Sequence, residues 1–459
     1  MVYNNKIAET LYFISPHIIK NCLFSLYGFS QKKGRYGGRY KYYYDFLTES
    51  QFWDSKKLQD YQKNEIEKII DAIKDVPIYR DRDLKSIAQF PILSKDNIRS
   101  DFEKYLNIRL KKIPHKWNHT SGTSGQSLVF PLTVETLQRE YAFRAIHYSW
   151  AGVSLTKKEP IAMVAGHPVA YFKRNKPPFW TYDFSNNWLL FSSYHLTEDN
   201  LKYYVKELDK FSPVLIHGYP SSIYLLSLAY KKWGLNKLKL KGIFTASETL
   251  LDYQRKEIES TFQVKIFNWY GNSEMTANIV ECEKGELHLK YEHSYVEILK
   301  NDNTFAKPGE IGRLICTAFT NIAFPLIRYD IGDVVKISEN QNSKCGRGGL
   351  IIDSIEGRKE DYIFTPDGRI IGRLDHLFKD SVNIIEAQIY QDNIESVELK
   401  IVVNNEFSKK DEEKLLRESR LRLGDSIKIK IEIVPFIQRN ENGKFRFIIS
   451  KLYQNINLK

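Results

Sequence analysis

At 459 residues the chain exceeds the usual size of one hydrophobic core, so two unequal domains are expected, and 42% hydrophobic with 27% charged residues excludes a mainly disordered chain. Lys and Arg outnumber Asp and Glu, 68 to 56, for a net charge of +12, yet the lysines are scattered and no uninterrupted basic tract marks a nucleic-acid tail. Four cysteines (Cys22, Cys282, Cys316 and Cys345) are too few and too widely spaced for a disulfide framework.

The start of the chain lacks the basic-then-apolar order of a secretion signal, and no apolar run is long enough to span a bilayer, so the cytoplasm is the expected location. Leu11 to Phe29 is apolar and aromatic, interrupted by Pro16, His17, Lys20 and Asn21, and reads as a buried helix pair rather than a membrane attachment. From Ser55 to Asp75, Leu58, Tyr61, Ile66, Ile69, Ile70 and Ile73 recur at helical spacing between charges, and Val76-Pro77 ends the pattern. Ser94 reads as a helix cap with Asp96 in the first turn. Residues 1–115 are thus mainly helical.

Between residues 116 and 350, helical stretches such as Val134 to Tyr148 and Glu198 to Phe211 alternate with short apolar runs at Pro160–Val164, Val214–Ile216, Gly242–Thr245, Val264–Phe267 and Arg313–Cys316. That alternation predicts an α/β architecture with much parallel sheet. After Gly357 the pattern changes to strands at Ile384–Tyr390, Ile394–Val403 and Ile427–Val434, with a charged helix at Lys409–Leu423, which is a compact α+β module. The expected division is a large domain over 1–357 and a small one over 358–459, joined by a hinge.

Five segments carry chemistry. Thr120-Ser-Gly-Thr-Ser-Gly125 is a run whose glycines let backbone N–H groups converge on an anion, with hydroxyls as further donors. Ala246-Ser-Glu-Thr249 and Tyr270-Gly-Asn-Ser-Glu274 each follow an apolar strand, and in open α/β sheets ligands sit beyond such carboxyl ends. Tyr270 offers a flat face for a purine, and Glu274 a hard oxygen for Mg²⁺. Arg328-Tyr-Asp-Ile-Gly-Asp333 sets a guanidinium beside two carboxylates, a combination suited to sugar hydroxyls and phosphate. Asn442-Gly-Lys444 presents an ammonium on a turn near the end of the small module. His217 and Tyr219, before the Pro220 turn, are pocket candidates because the next helix would point its N-terminus inward.

With these motifs in this order, the chain resembles the adenylate-forming superfamily of acyl-CoA synthetases, and within it the phenylacetate-CoA ligase family and its CapK-like, capsular-polysaccharide branch. The resemblance covers nearly the whole chain: Ser15-Pro16, the Gln62 helix running into Val76-Pro-Ile-Tyr-Arg80, the Ser/Thr/Gly loop, His217–Ser221, Tyr270–Glu274, Pro325–Asp333, Gly357-Arg358 and Gly443-Lys444. It implies an ATP-dependent ligase that joins a carboxylic acid to AMP, releases pyrophosphate and passes the acyl group to coenzyme A or to an amine, a sugar-linked amine among them. Thr120, Ser121, Gly122, Thr123, Ser124 and Gly125 would hold the phosphates, with Ser247, Glu248, Gly271 and Ser273 completing the ATP site. Tyr270 would stack on adenine, Asp333 would accept the ribose hydroxyls, and Glu274 with Thr123 would hold Mg²⁺. Arg358 would lie near ribose and phosphate, Lys444 would bridge the carboxylate and the α-phosphate, and His217, Tyr219 and Asn268 would line the acyl pocket.

The chain departs from the family pattern at three places. Gln126 stands where the phosphate loop usually has Lys, and Glu360 stands at the hinge where Asp is usual. Relatives often carry zinc on a Cys-x5-His pair and a later Cys-Pro-Cys; here Cys282 and His288 remain, but the second motif reads Ser343-Lys-Cys345. Three ligands and a water would resemble a catalytic zinc site, and both retention and loss of the metal stay open. A nucleotide-binding homologue without turnover is the alternative that Gln126 and the incomplete ligand set suggest.

Overall fold

The computed structural model describes residues 12–13, 15–80, 86–119, 128–167, 169–170, 174, 176–358, 363–367, 370–371, 374–378, 383–440 and 445–452. After helical Tyr12 and Phe13 come α1 (His17–Tyr36), α2 (Tyr40–Ser50) and α3 (Ser55–Ala72). Asp54 caps α3 by accepting from Lys57 N at 2.8 Å, and Gln62 on its inner side donates to Ser294 O and Tyr291 O, fastening this helical part to the sheet below. The short α4 (Lys95–Ser100) starts at Ser94 in a capping box with Asn97.

The antiparallel pair β1 (His115–His119) and β2 (Val129–Thr133) flanks the Ser/Thr/Gly run. Thr133 closes β2 and caps α5 (Val134–Trp150) through Thr136 N. Then come β3 (Ile161–Ala165), β4 (Trp180–Asp183), β5 (Trp188–Ser192), α6 (Glu198–Phe211), β6 (Leu215–Gly218), α7 (Pro220–Trp233), β7 (Gly242–Ala246), α8 (Asp252–Phe262) and β8 (Ile266–Gly271). Six further strands follow without helices: β9 (Asn278–Glu281), β10 (Leu287–Leu289), β11 (Ser294–Leu299), β12 (Ile311–Ala318), β13 (Tyr329–Ile337) and β14 (Leu350–Arg358).

Twelve of these strands form one sheet in the order β11-β12-β13-β14-β10-β9-β8-β7-β6-β3-β5-β4. From β5 to β8 neighbours run parallel, as the helix–strand alternation predicts, and beyond β8 every pairing is antiparallel. Helices α6, α7 and α8 cover one face of the parallel part through Ile216, Ile243 and Ile266; α5 covers the other through Tyr148, Phe244 and Phe267. The small module holds β15 (Ile363–Phe364), β16 (Ile370–Ile371), β17 (Ile384–Asn393), β18 (Ser396–Val403), α9 (Lys409–Leu423), β19 (Lys428–Ile433) and β20 (Ile448–Ser450). Its four-stranded sheet, β19-β18-β17-β20, buries Ile389, Leu399 and Ile401 with Leu415 and Leu423 of α9.

The first apolar segment corrects its sequence reading in part. Tyr12 and Phe13 are helical ahead of Pro16 and α1 follows it, but α1 is not buried by its apolar residues: the polar residues that interrupt the run are the ones that face inward. Lys20 and Asn21 are buried, Lys20 Nζ donating to Phe13 O and Asn21 Oδ1 accepting from Thr181 Oγ1 and Tyr182 N. Ile18, Leu26 and Phe29 point to solvent. Satisfying buried polar groups against the edge strand β4 decides which side turns in.

Gly218 ends β6 where the chain turns into the site. A Cβ there would stand 2.0 Å from Val164 O, the atom that accepts from Tyr219 N. Gly218→Ala is expected to cost about 1–3 kcal/mol, as overpacking does, measured as a lowered midpoint in urea; unchanged stability would contradict this close approach.

Candidate functional site

The register Ala246↔Trp269 brings the carboxyl ends of β7 and β8 side by side, at the strand where the sheet changes from parallel to antiparallel. Tyr270, near the end of β8, donates its hydroxyl to Asp333 Oδ2 at 2.5 Å, although 63 residues separate them in sequence. Asp333 is buried and lies opposite Arg358 in the β13–β14 pair, just after Gly332, whose φ of +86° falls within β13 where the pairing with β12 shifts register, an irregularity of the strand and not the turn that the sequence suggested. Past β8, Asn272 receives Thr276 N and donates to Thr276 Oγ1, closing the turn that carries Ser273 and Glu274. Glu274 is 6% exposed and its Oε1 accepts from Tyr329 OH at 3.1 Å. Asn118 of β1 donates to Ser273 O, so the strand leading into the Ser/Thr/Gly run ends beside the residue before Glu274.

After β7, Ser247 takes φ +74° and Glu248 turns inward. One Glu248 oxygen accepts from Ser221 N at the start of α7 and the other from Phe445 N in the small module. Enclosure pushes this carboxyl above its ordinary range, while the two N–H donors pull it back. Phe445, directly after Lys444, therefore contacts the tail of β7, the strand that pairs with β8 and its Tyr270. Gly271 is fitted closely, since a Cβ would meet Trp269 Nε1 and Asn278 Oδ1. Thr120, Ser121, Gly122, Thr123, Ser124, Gly125, Glu360 and Lys444 lie outside the described residues, and only the backbone of Arg358 is described.

Two groupings read from the sequence are corrected. Arg328 does not pair with the carboxylates of its own motif: its Nε and Nη2 clasp Glu297 at 2.8 and 3.0 Å, its Nη1 donates to Phe90 O, and Asp330 goes to Arg313. With Leu93 and Arg328 also paired through backbone atoms, this cluster holds the N-terminal helices to β13 and frames the crevice rather than touching a ligand. The three acyl-pocket residues are also split. Strand alternation puts His217 on the α5 face with Phe244 and Phe267, its Nδ1 bonded to Tyr148 OH, whereas Asn268 shares the opposite face with Thr245, whose hydroxyl it accepts at 2.9 Å. Tyr219 sits between them as the residue before α7.

A second cluster lies on the outer side of the β9–β10 hairpin. The ligand atoms of Cys282, Glu286, His288 and Cys345 all fall within 4.8 Å of one another. Cys345 Sγ is 3.3 Å from His288 Nε2, which is 3.9 Å from Glu286 Oε2. Ligands about 2.0–2.3 Å from a tetrahedral zinc stand roughly 3.3–3.8 Å apart, so these spacings suit one ion. Lys284 N donates to Cys282 Sγ and Lys344 N to Glu286 Oε2, holding the donor atoms inward. Glu286, on the hairpin between Cys282 and His288, stands beside the three residues read from the sequence as a fourth possible donor. Its position in Cys-x3-Glu-x-His was a readable signal; Tyr329 and Asn118, also absent from the sequence reading, carried none.

Among solved structures, the fold matches 2-hydroxyisobutyryl-CoA ligase in the postadenylation state in complex with R3-HIB-AMP, with a TM-score of 0.66, 17% identity, and coverage of 88% of this chain and 92% of that one. Residues 363–451 match the family model of the CapK C-terminal domain. Across 96% of this chain and 99% of the relative, the sequence is 28% identical to Protein CapK of Staphylococcus aureus. The chain thus resembles Protein CapK along nearly its whole length, and its C-terminal part matches the CapK C-terminal domain. It is also 29% identical to phenylacetate-coenzyme A ligase of Thermus thermophilus over 163 residues, 34% of its own length and 36% of that protein. Its fold is that of the acyl-CoA ligase it matches.

On the His217 face, His147 is 1% exposed, lies edge-on to Phe244 and donates to Glu281 O. Burial lowers its pKa from 6.5 to about 3. Its folded pKa is depressed, so the unfolded chain alone takes up a proton below pH 6.5; the stability contribution is complete above that pH and shrinks as pH falls. Between pH 6.5 and 5 this one residue should cost about 2 kcal/mol. Urea unfolding across this window should show a steeper loss in the native chain than in His147→Leu; equal slopes would contradict it.

Proposed function

We propose that this protein adenylates a carboxylic acid with ATP and then transfers the acyl group to coenzyme A or to an amine, within surface polysaccharide biosynthesis. The observation that carries the reading is the Tyr270–Asp333 hydrogen bond, which joins the residue proposed for adenine and the residue proposed for ribose in one crevice with Glu274. The Glu248–Phe445 contact supports the same reading from the small module, because it sets the residue after Lys444 against the tail of β7. The polysaccharide role rests on the likeness to Protein CapK, and coenzyme A on the likeness to the phenylacetate-coenzyme A ligases.

In this reading a carboxylate oxygen attacks the α-phosphorus, the bond to the β-phosphate bridging oxygen breaks, and pyrophosphate leaves with both electrons of that bond. Negative charge spreads over phosphate oxygens in the transition state, so catalysis is mostly positioned positive charge. Lys444 would supply an ammonium at the α-phosphate and Arg358 a guanidinium near the ribose, while backbone N–H groups of residues 121–125 would hold the other phosphates. Thr120, Ser247, Gly271 and Ser273 would line the same nucleotide. Glu274, a buried carboxylate already oriented by Tyr329, fits a Mg²⁺ ion and would hold it with Thr123; bound there, the ion neutralises phosphate charge. The aromatic face around His217, with Tyr219 at its rim, would receive the acyl group, and Glu360 would be the hinge between domains 1–357 and 358–459.

Pyrophosphate exchange into ATP, stimulated by members of a panel of carboxylic acids, is the direct test. Asp333→Asn should lower exchange by about 10–100-fold and Glu274→Gln by about 100-fold or more. ATP binding by folded protein without AMP formation with any acid would favour the non-catalytic homologue that Gln126 suggests.

The Cys282, Glu286, His288 and Cys345 cluster is proposed to hold a structural zinc, with Glu286 in place of the thiolate that relatives carry near Ser343. Its fit rests on two sulfurs, one imidazole and one carboxylate converging where Cys345 meets the β9–β10 hairpin, with Cys282 and His288 buried. Purified protein should contain about one zinc per chain, and cobalt substitution should give thiolate charge-transfer bands that Cys345→Ala weakens and Glu286→Gln shifts. Zinc-free protein that binds no cobalt would overturn it.

A further inference from the structure

Helix α1 turns its polar residues Lys20 and Asn21 inward and leaves an apolar side uncovered. Its inner side packs against β4 and α5. On the other side Ile18, Ile19, Leu23, Leu26 and Phe29 are 70, 46, 44, 67 and 68% exposed. At 100° per residue these five, with exposed Cys22, fall within an arc of about 140°, a continuous stripe along the helix. Phe184, 61% exposed, follows β4 and is tied to the helix by its N–H bond to Ser25 Oγ, which widens the stripe at one edge.

The charges that α1 itself carries have one sign, and the carboxylate beneath it, Asp183 at Gly28, is held by Ser185 and Asn186. The sequence of α1 contains Lys20, Lys32, Lys33 and Arg35 and no acidic residue. A cleft of about 560 Å³ adjoins its C-terminal half, lined by Lys32, Lys41 and Lys158 together with Tyr36, Tyr40 and Trp188. The two carboxylates of this cleft are occupied, Asp45 by Lys41 and Glu159 by Lys241. Lys32 and Lys158 have no carboxylate within ion-pair distance among the described residues, and Lys32 is bonded instead to Ser185 O. Burial, and then the neighbouring Lys158, hold the Lys32 ammonium below its usual range. An anion in the cleft would relieve that repulsion. No helix among the described residues is long and apolar enough to cross a membrane. An amphipathic helix with an exposed apolar stripe and flanking cations lies on a bilayer with that stripe among the acyl chains.

We propose that the open face of α1 seats this protein on an anionic lipid bilayer, with the stripe from Ile18 to Phe29 entering the interface and the Lys32–Lys158 cleft facing lipid phosphates. Charge complementarity selects this occupant over a second copy of the chain, whose matching face would bring the same cations together.

Vesicle flotation of the full-length protein tests this. At low salt the protein should float with vesicles of phosphatidylcholine containing about one-third phosphatidylglycerol, at least about tenfold more than with phosphatidylcholine alone. Leu26→Glu with Phe29→Glu, two surface changes, should reduce flotation at least about tenfold while leaving the urea midpoint and ATP binding unchanged. Lys32→Gln with Lys158→Gln should weaken the preference for the anionic lipid and flatten its salt dependence. No flotation at low salt, or flotation that survives the Leu26 and Phe29 changes, overturns the proposal. So does a dimer in sedimentation that those changes dissolve, because the face would then belong to a second copy.

Discussion

The candidate site depends on one constraint: β8 pairs in parallel with β7 and antiparallel with β9, so a single continuous sheet joins two different halves at that strand. The parallel half sends its strand ends and the tails after β7 and β8 to one edge. The antiparallel half returns β13 to the same edge. Only because both halves share hydrogen bonds across β8 can the Tyr270 hydroxyl meet the Asp333 carboxylate. The short, charge-assisted bond between them fixes the distance between an aromatic plane and an acceptor pair before any ligand arrives, which is the kind of preorganisation that binding sites exploit.

Around this seam the chain uses buried ionic and polar groups as fasteners. Arg328 reaches from β13 to Glu297 on β11 and to Phe90 in the helical N-terminal part, and Gln62 bonds backbone carbonyls beside β11. Asn321 holds β2 against the loop before β13 by accepting from Thr133 N and donating to Pro131 O. Each such group would leave unpaired atoms behind if its partner moved, so these contacts specify position more than they add stability. Glu248 is the same device placed between the large sheet and the small module, where it ties the start of α7 to the residue after Lys444.

Much of the architecture was legible because it follows from local patterns. The helices at Glu198–Phe211 and Lys409–Leu423 begin and end where periodicity and charge said they would, and Ser94 caps α4 as its spacing implied. The strands around β3, β6, β7 and β8 were visible as apolar runs because they are buried on both faces. Strands β9, β10 and β14 were not, since they mix polar and apolar residues over short lengths: β9 buries Asn278 and Glu281 along with Ile279 and Val280. Helix α1 misled for a related reason: an apolar run says that a surface is oily, and composition does not say which side the rest of the molecule covers.

The sequence by itself determined the residue types available for chemistry and the order of the segments carrying them: the Thr120–Gly125 run, Tyr270 to Glu274, Asp333, and the Cys282 and His288 pair. Tertiary structure decided which of them meet. Arg328 turned to Glu297 because burial demands a close counter-charge, His217 and Asn268 parted because neighbouring strand positions face opposite sides, and Glu286 joined the sulfurs because a hairpin folded it beside them. Bonds and periodicity act along the chain; hydrogen-bond pairing and counter-charge act through space, over distances that no local pattern encodes.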